Sequence, residues 1–577
     1  MTRILSTNIT SPLGLTTEEN YAAVKRGETA LKEMDGCLGV PGHFCVGIFS
    51  DSQKASLQLD GFSWFESLIL HSVSDALSRS SADPSSPRTV FIVGTSTAGI
   101  DELGAVPEKD RNYLAPGVAA KKVADHLGFV NNPILVSNAC ISGATAQMLA
   151  DRLIATGYYD TAVVCGIDVL SAFVLAGFES FKALSPSACR PFDIERLGLN
   201  IGECAATVVL AKDAGADEDA WYLVDGCLNN DAYHVSAPIP SGDGVYRTIK
   251  KILSPERKDA LACVTAHGTA TMFNDQMESK AIENGGLGSL PTTALKPHYG
   301  HTFGASGNVE AIITMCALDE GAILPVLGFE EIGVSGKITV CNHLEHTDKR
   351  SFIKIQSGFG SCNGAIIYAK SPASAAIPEK AGYDVVRRLR ITPDGLFIDE
   401  KAVPLESRRE CAASRAQSHG PSLITEIFKK YIADNSRFFK MDLYSRLAYV
   451  GTTLLAKDEL EGCDPEDRAL FVFTQNGSIL ADRKHLSTFS NPQEFYPSPA
   501  VFINTLPNVV LGEIAVKNSI KGETTLVMLP HRDETALNAI IDATLSTTKP
   551  SVMICGWVDC SAEDTFVADL KLLKIRK

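Results

Sequence analysis

Val136-Ser137-Asn138-Ala139-Cys140-Ile141-Ser142-Gly143-Ala144 joins two patterns of different period. Before it, Pro133-Ile134-Leu135-Val136 is a short apolar run of strand type. After it, Ala144, Met148, Leu149, Leu153 and Ile154 recur at helical spacing, with Gly157 beyond the last of them. Cys140 therefore stands where a strand turns into a helix. The small residues Ser142, Gly143 and Ala144 leave room for another molecule to approach. Free N–H groups and the positive dipole end of a helix favour a thiolate there, which makes Cys140 a candidate nucleophile.

Working outward, strands and helices alternate along the chain, which predicts an α/β fold. Val90-Phe91-Ile92-Val93 and Thr161 to Gly166 read as strands, Phe62 to Leu77 and Val118 to Leu127 as helices. The loop Gly94-Thr95-Ser96-Thr97-Ala98-Gly99 lacks the lysine of a phosphate-binding loop and reads as a packing turn. The pattern breaks at Ser371 to Pro378, which makes 371–380 a linker and leaves 381–577 as a further folded unit.

The chain has 577 residues, 45% of them hydrophobic and 21% charged, an ordinary globular balance. A net charge of −15 argues against nucleic acid as the main partner. Met1 to Ser6 lacks the apolar core of a signal peptide, and no stretch approaches the ~20 apolar residues of a membrane span. Fifteen scattered cysteines then read as reduced thiols in a cytoplasmic protein, with no paired CxxC array for a metal.

Two more motifs carry chemistry. His267-Gly268-Thr269-Ala270-Thr271 ends a strand pattern and is followed by Asp275 and Glu278. Lys296-Pro297-His298-Tyr299-Gly300-His301 precedes Gly304-Ala305-Ser306-Gly307 and Glu310. With the Cys140 elbow, in this order, they resemble the β-ketoacyl-ACP synthases, elongating condensing enzymes of the thiolase superfamily. Ser11-Pro12-Leu13-Gly14, Arg190-Pro191-Phe192-Asp193 and Gly358-Phe359-Gly360-Ser361-Cys362-Asn363-Gly364 extend the resemblance over about 1–370. Ala270 replaces a usual Gly, and Ser361-Cys362 a usual Gly-Thr.

The resemblance implies a thiolase-like layered αβαβα fold of two pseudo-repeated halves, about 1–230 and 231–370. It implies decarboxylating condensation of a Cys140-bound acyl chain with malonyl-ACP, in fatty acid, polyene or polyketide synthesis. Cys140 is then the nucleophile, and His267 and His301 act on the malonyl thioester carbonyl. Lys296 and Glu310 are the supporting ion pair, Phe359 the oxyanion donor and gate, and Thr269 and Thr271 the partners of the phosphopantetheine arm. That arm is the only cofactor-like group implied; no bound cofactor or metal is expected. An acyl carrier protein is the expected partner, with Lys121, Lys122, Lys250 and Lys251 as docking candidates. A homodimer through the synthase domain, or a heterodimer with a related subunit, is expected. Two other readings stay open: a non-catalytic partner resembling a chain-length factor, and a CoA-dependent thiolase-like acyltransferase.

The last unit resembles a degenerate first half of the same fold. Arg468 to Thr474 echoes Arg88 to Gly94, and Met553-Ile554-Cys555-Gly556 echoes Val163-Val164-Cys165-Gly166. Aligning Gly556 with Gly166 puts Pro530 at the place of Cys140. A C-terminal α/β half-thiolase-like domain without a second site is the expectation, packed on the catalytic domain or on a partner.

Overall fold

The computed structural model describes the chain except residues 1, 104–114, 214, 216, 218, 371–377, 406–419, 434–435, 492–494 and 577. Most of the expected linker lies outside the described residues.

The first half contains β1 (Thr2–Thr10), α1 (Trp64–Ser78), β2 (Thr89–Gly94), α2 (Pro116–His126), β3 (Ile134–Val136), α3 (Ser142–Ala155), β4 (Thr161–Asp168), α4 (Ala172–Ser180) and β5 (Cys204–Lys212). Its sheet runs β1-β5-β4-β2-β3, parallel at β4-β2-β3 and antiparallel at β1-β5-β4. β2 and β4 are buried nearly along their length and apolar in their middle, at residues 90–93 and 162–165, as strands covered on both faces must be.

The second half contains β6 (Tyr222–Asn230), β7 (Cys263–Thr265), β8 (Pro291–Thr293), α5 (Ser306–Asp319), β9 (Thr339–Val340), β10 (Ser351–Gly358) and β11 (Cys362–Ala369). Its sheet runs β9-β8-β7-β10-β11-β6 and joins the first through β6 and β1. β6 thus belongs to the second half, ahead of the division expected near 230. Between the sheets lie α3 and α5, buried almost throughout. A helix placed there is apolar all round, each large side chain contributing roughly 1.5–3 kcal/mol. Buried polar groups there are satisfied: Gln147 Nε2 donates to Asn308 Oδ1 (2.9 Å), and the Tyr368 hydroxyl to Gln147 Oε1 (2.8 Å).

The last unit contains β12 (Tyr383–Thr392), α6 (Leu443–Ala456), β13 (Arg468–Thr474), α7 (Val509–Asn518), β14 (Thr524–Met528), α8 (Glu534–Thr548), β15 (Val552–Ala562) and β16 (Thr565–Ile575). Its order, β12-β16-β15-β13-β14, repeats the first half strand for strand and direction for direction. The small-residue loops repeat too. Thr95 Oγ1 and the Ser96 and Thr97 N–H groups donate to the Asp168 carboxylate; Thr474 Oγ1 and the Gln475 and Asn476 N–H groups donate to that of Asp559. Gly94-Thr95-Ser96 is thus a packing turn around a buried acid.

This match corrects the sequence register by one. Gly94 pairs with Val136 and Gly166, whereas Phe473 pairs with Val527 and Trp557. Trp557, not Gly556, therefore takes the place of Gly166. His531, exposed, takes the place of Cys140, and Pro530 that of Ala139. The elbow still carries no thiol.

The two units share one sheet. β14 lies antiparallel to β3, with Val527 opposite Val136, equivalent residues facing each other. The edge that β3 could offer to a second copy is already covered within the chain. Asn138, two residues before the cysteine, accepts from Leu526 N–H (3.0 Å) and donates to Thr524 C=O (3.1 Å). Arg152 and Glu523 form a buried ion pair at 2.7 Å, and the Tyr158 and Tyr383 hydroxyls both donate to Asp542. Among the described residues no single helix is long and apolar enough to cross a membrane.

Candidate active site

β3 delivers Cys140 through one strained residue. Ala139 holds φ +48°, and one turn of 3-10 helix over Ala139–Ile141 leads into α3. Ser142 Oγ accepts from Asn138 N–H (2.8 Å) and donates to Ala139 C=O, which pins the turn.

β7 delivers His267. Glu278 accepts the His267 and Gly268 N–H groups (2.5 and 2.8 Å), and Asp275 accepts those of Ala270 and Phe192 (3.1 and 2.7 Å). His301 follows β8 and caps the approach to α5. The Cys140 Sγ and a ring nitrogen of each histidine lie within 4.8 Å of one another, and the two rings meet edge to face at 5.2 Å.

Behind the rings lies a buried charge cluster. Glu310 bridges Lys296 Nζ (2.8 Å) and Lys354 Nζ (2.7 Å). Lys296 also reaches His267 Nδ1 (3.2 Å) and donates to His267 C=O. An ammonium has only donors, so His267 Nδ1 is the acceptor and its proton sits on Nε2. Phe303 N–H likewise points at His301 Nδ1 (3.4 Å), and His301 Nε2 has no partner among the described residues. Both rings thus turn an Nε2–H toward the cavity. Nitrogens that keep their protons are hydrogen-bond donors, not metal ligands, although the Cys140–His267–His301 spacing alone would suit an ion. Burial and the Lys296 and Lys354 ammonium groups hold both imidazoles well below their ordinary range, and so neutral.

The expected thiolate is corrected. Burial pushes the Cys140 thiol up to about 12, although Lys296 and the Cys140 and Phe359 backbone N–H groups pull the other way. Desolvation outweighs the helix end, and the site holds a thiol.

Cys140, His267, His301, Thr269, Thr271 and Phe359 line one open cavity of about 330 Å³. Thr269 and Thr271 share a hydrogen bond of 2.9 Å at its wall. Phe273, 80% exposed, stands at its lining. None of Lys121, Lys122, Lys250 and Lys251 lines it. Lys121 and Lys122 pair with Asp125 and Glu66, and Lys250 and Lys251 border a separate polar groove.

A second, nearly closed cavity of about 10 Å³ touches Cys140 and is walled by Val174, Phe178, Phe303 and Phe359 and by Phe502 and Leu506. The last two come from the C-terminal unit. Phe502 lies flat on Gly177 of α4, where any Cβ would meet its ring at 2.3 Å.

Both departures from the family pattern fall where the backbone is left-handed: Ala270 has φ +60° and Ser361 φ +63°. The loop geometry is kept without glycine, at a cost of about 1 kcal/mol each. Sequence reading missed Lys354, although a lysine inside the apolar run Phe352-Ile353-Lys354-Ile355 signals a buried partner. It also missed Phe502, Leu506 and Asn508, which no motif marks.

Residues 6–216 match the family model for the beta-ketoacyl synthase N-terminal domain, and residues 222–330 that for its C-terminal domain. The chain belongs to the β-ketoacyl synthase family. It is 28% identical to 3-oxoacyl-[acyl-carrier-protein] synthase 2 of Rhizobium meliloti (strain 1021), over 63% of this chain and 97% of that protein. A ketosynthase solved in complex with its chain length factor, from Xenorhabdus doucetiae, superposes with TM-score 0.54 at 25% identity, covering 64% of this chain and 97% of its own. A solved keto synthase–chain length factor protein, PfaC, covers all of this chain and 78% of its own, with TM-score 0.74 at 13% identity, a likeness of fold. The synthase motifs thus occupy the first two thirds of the chain, and the shared architecture extends through the rest.

Proposed function

We propose that this synthase condenses a Cys140-bound acyl chain with malonyl-ACP to give 3-oxoacyl-ACP. The observation that carries this is the convergence of Cys140 and two neutral, inward-pointing imidazole N–H groups on one cavity.

In the first half-reaction the Cys140 sulfur attacks an acyl thioester. The Cys140 and Phe359 N–H groups receive the developing oxyanion, and the thiol proton leaves on the carrier thiol. In the second, His267 and His301 donate to the malonyl thioester carbonyl. The bond to the carboxylate breaks, CO₂ leaves, and the electron pair forms an enolate. Its carbon attacks the acyl thioester and expels the Cys140 thiolate, which takes a proton from solvent. Neutral imidazoles suit this, since they donate without adding a buried charge. Lys296 fixes the His267 tautomer, and Glu310 holds Lys296. The phosphopantetheine arm of the carrier would pass Thr269 and Thr271. No step needs a metal or a bound cofactor.

Cys140→Ala abolishes condensation yet keeps malonyl decarboxylation, because both imidazoles remain. His301→Asn slows decarboxylation more than acyl transfer, by about 10²-fold or more if one oxyanion donor is lost. Measuring CO₂ release and Cys140 acylation separately checks both. A 3-oxoacyl product from Cys140→Ala, or equal loss of both half-reactions in His301→Asn, contradicts the assignment.

A further inference from the structure

Asn508 stands at the N-cap of α7, where an asparagine normally accepts an N–H of its own helix; here its side chain caps nothing. It is 2% exposed, and its Oδ1 is buried without a partner among the described residues. An uncompensated buried acceptor is costly, so a local role does not account for it. The side chain points across the seam instead. Its Nδ2 donates to Phe359 C=O (2.7 Å) and lies 3.8 Å from Cys362 Sγ.

The Phe359 loop is fitted to this contact. Gly360 has φ +85°, and a Cβ there would meet Asn508 Nδ2 at 2.6 Å. On its far side the loop is tied to the first unit, by Gly360 N–H to Val235 C=O (2.7 Å) and Asn230 Nδ2 to Gly360 C=O (2.8 Å). The Phe359 carbonyl is thus held by a side chain of the C-terminal unit, while Phe359 itself lines both cavities that touch Cys140.

We propose that Asn508 is a positioning residue of the Cys140 site, through which the C-terminal unit holds Phe359 and its oxyanion-facing N–H in place. This rests on the condensing-enzyme reading for its kinetic arm, but not for its alkylation arm. The unit's last turn before α7 is then a working wall of the site and not only a scaffold.

The test compares the full chain with Asn508→Leu, which removes the donor at similar volume, and Asn508→Asp, which regains a donor only when protonated. Three readouts are taken: acyl transfer to Cys140, malonyl decarboxylation, and the pH dependence of Cys140 alkylation by iodoacetamide, mapped by mass. Because a misplaced group costs up to about 10²-fold, acyl transfer in Asn508→Leu should fall at least tenfold further than decarboxylation. The Asn508→Asp defect should shrink as pH is lowered, and Cys140 alkylation should be slower in Asn508→Leu than in the unmodified chain at every pH at which both are folded. Loss of both half-reactions in equal measure, or an unchanged alkylation profile in a folded variant, overturns the proposal. An unmodified chain that performs neither half-reaction refutes the condensing-enzyme reading, and the alkylation rate then decides Asn508 by itself.

Discussion

At the scale of single residues, the site is governed by what burial does to charge. Burial first, and then two ammonium groups that share one carboxylate behind the histidines, keep both rings neutral. Malonyl decarboxylation should therefore stay level as pH falls through 6.5, the ordinary imidazole value, and fall only well below it. A half-loss of CO₂ release centred near 6.5 would contradict this. The linkage has a definite sign. The unfolded chain takes up protons on these histidines below 6.5 and the folded chain does not, so their contribution to stability is lost as pH drops below that value. Lys354, which adds to burial and Lys296 at both rings, was legible only as an oddity in an apolar strand.

At the scale of elements, α4 and the turn before α7 meet through Phe502 on Gly177. Phe502→Ala should enlarge the small cavity that touches Cys140 and raise the rate of Cys140 acylation by long-chain relative to short-chain acyl carriers. A tenfold change in that ratio is in scale with the roughly 1–3 kcal/mol by which a hydrophobic pocket discriminates. Thermal unfolding should show a loss of about 3 kcal/mol from the cavity left behind. An unchanged chain-length ratio would show that Phe502 does not bound the acyl site. The elbow, the His267 and His301 loops and most strands were legible because each sits at a change from one hydrophobic period to another. The hairpin Leu31–Cys37 with Val40–Gly47 was not, since exposed charged residues hide its pairing. The register of the C-terminal unit slipped by one because Gly556 resembles Gly166, whereas pairing is set by the loops around Asp168 and Asp559. Phe502 and Asn508 act only across the seam, and nothing local distinguishes them.

At the scale of the whole molecule, one sheet runs through both units, and equivalent strands β3 and β14 meet at Val136 and Val527. The C-terminal unit repeats the first half in order and direction, lacks a cysteine at its elbow, and gives Phe502, Leu506 and Asn508 to the other unit's site. One chain thereby contains both walls of the small cavity that touches Cys140. The most direct measurement incubates the purified full chain alone with an acyl carrier and a malonyl carrier, and follows the carrier products and the Cys140 peptide by mass. The account predicts an acyl adduct on Cys140, release of CO₂ and a 3-oxoacyl carrier two carbons longer than the acyl chain supplied. No adduct on Cys140 and no extended product would contradict it.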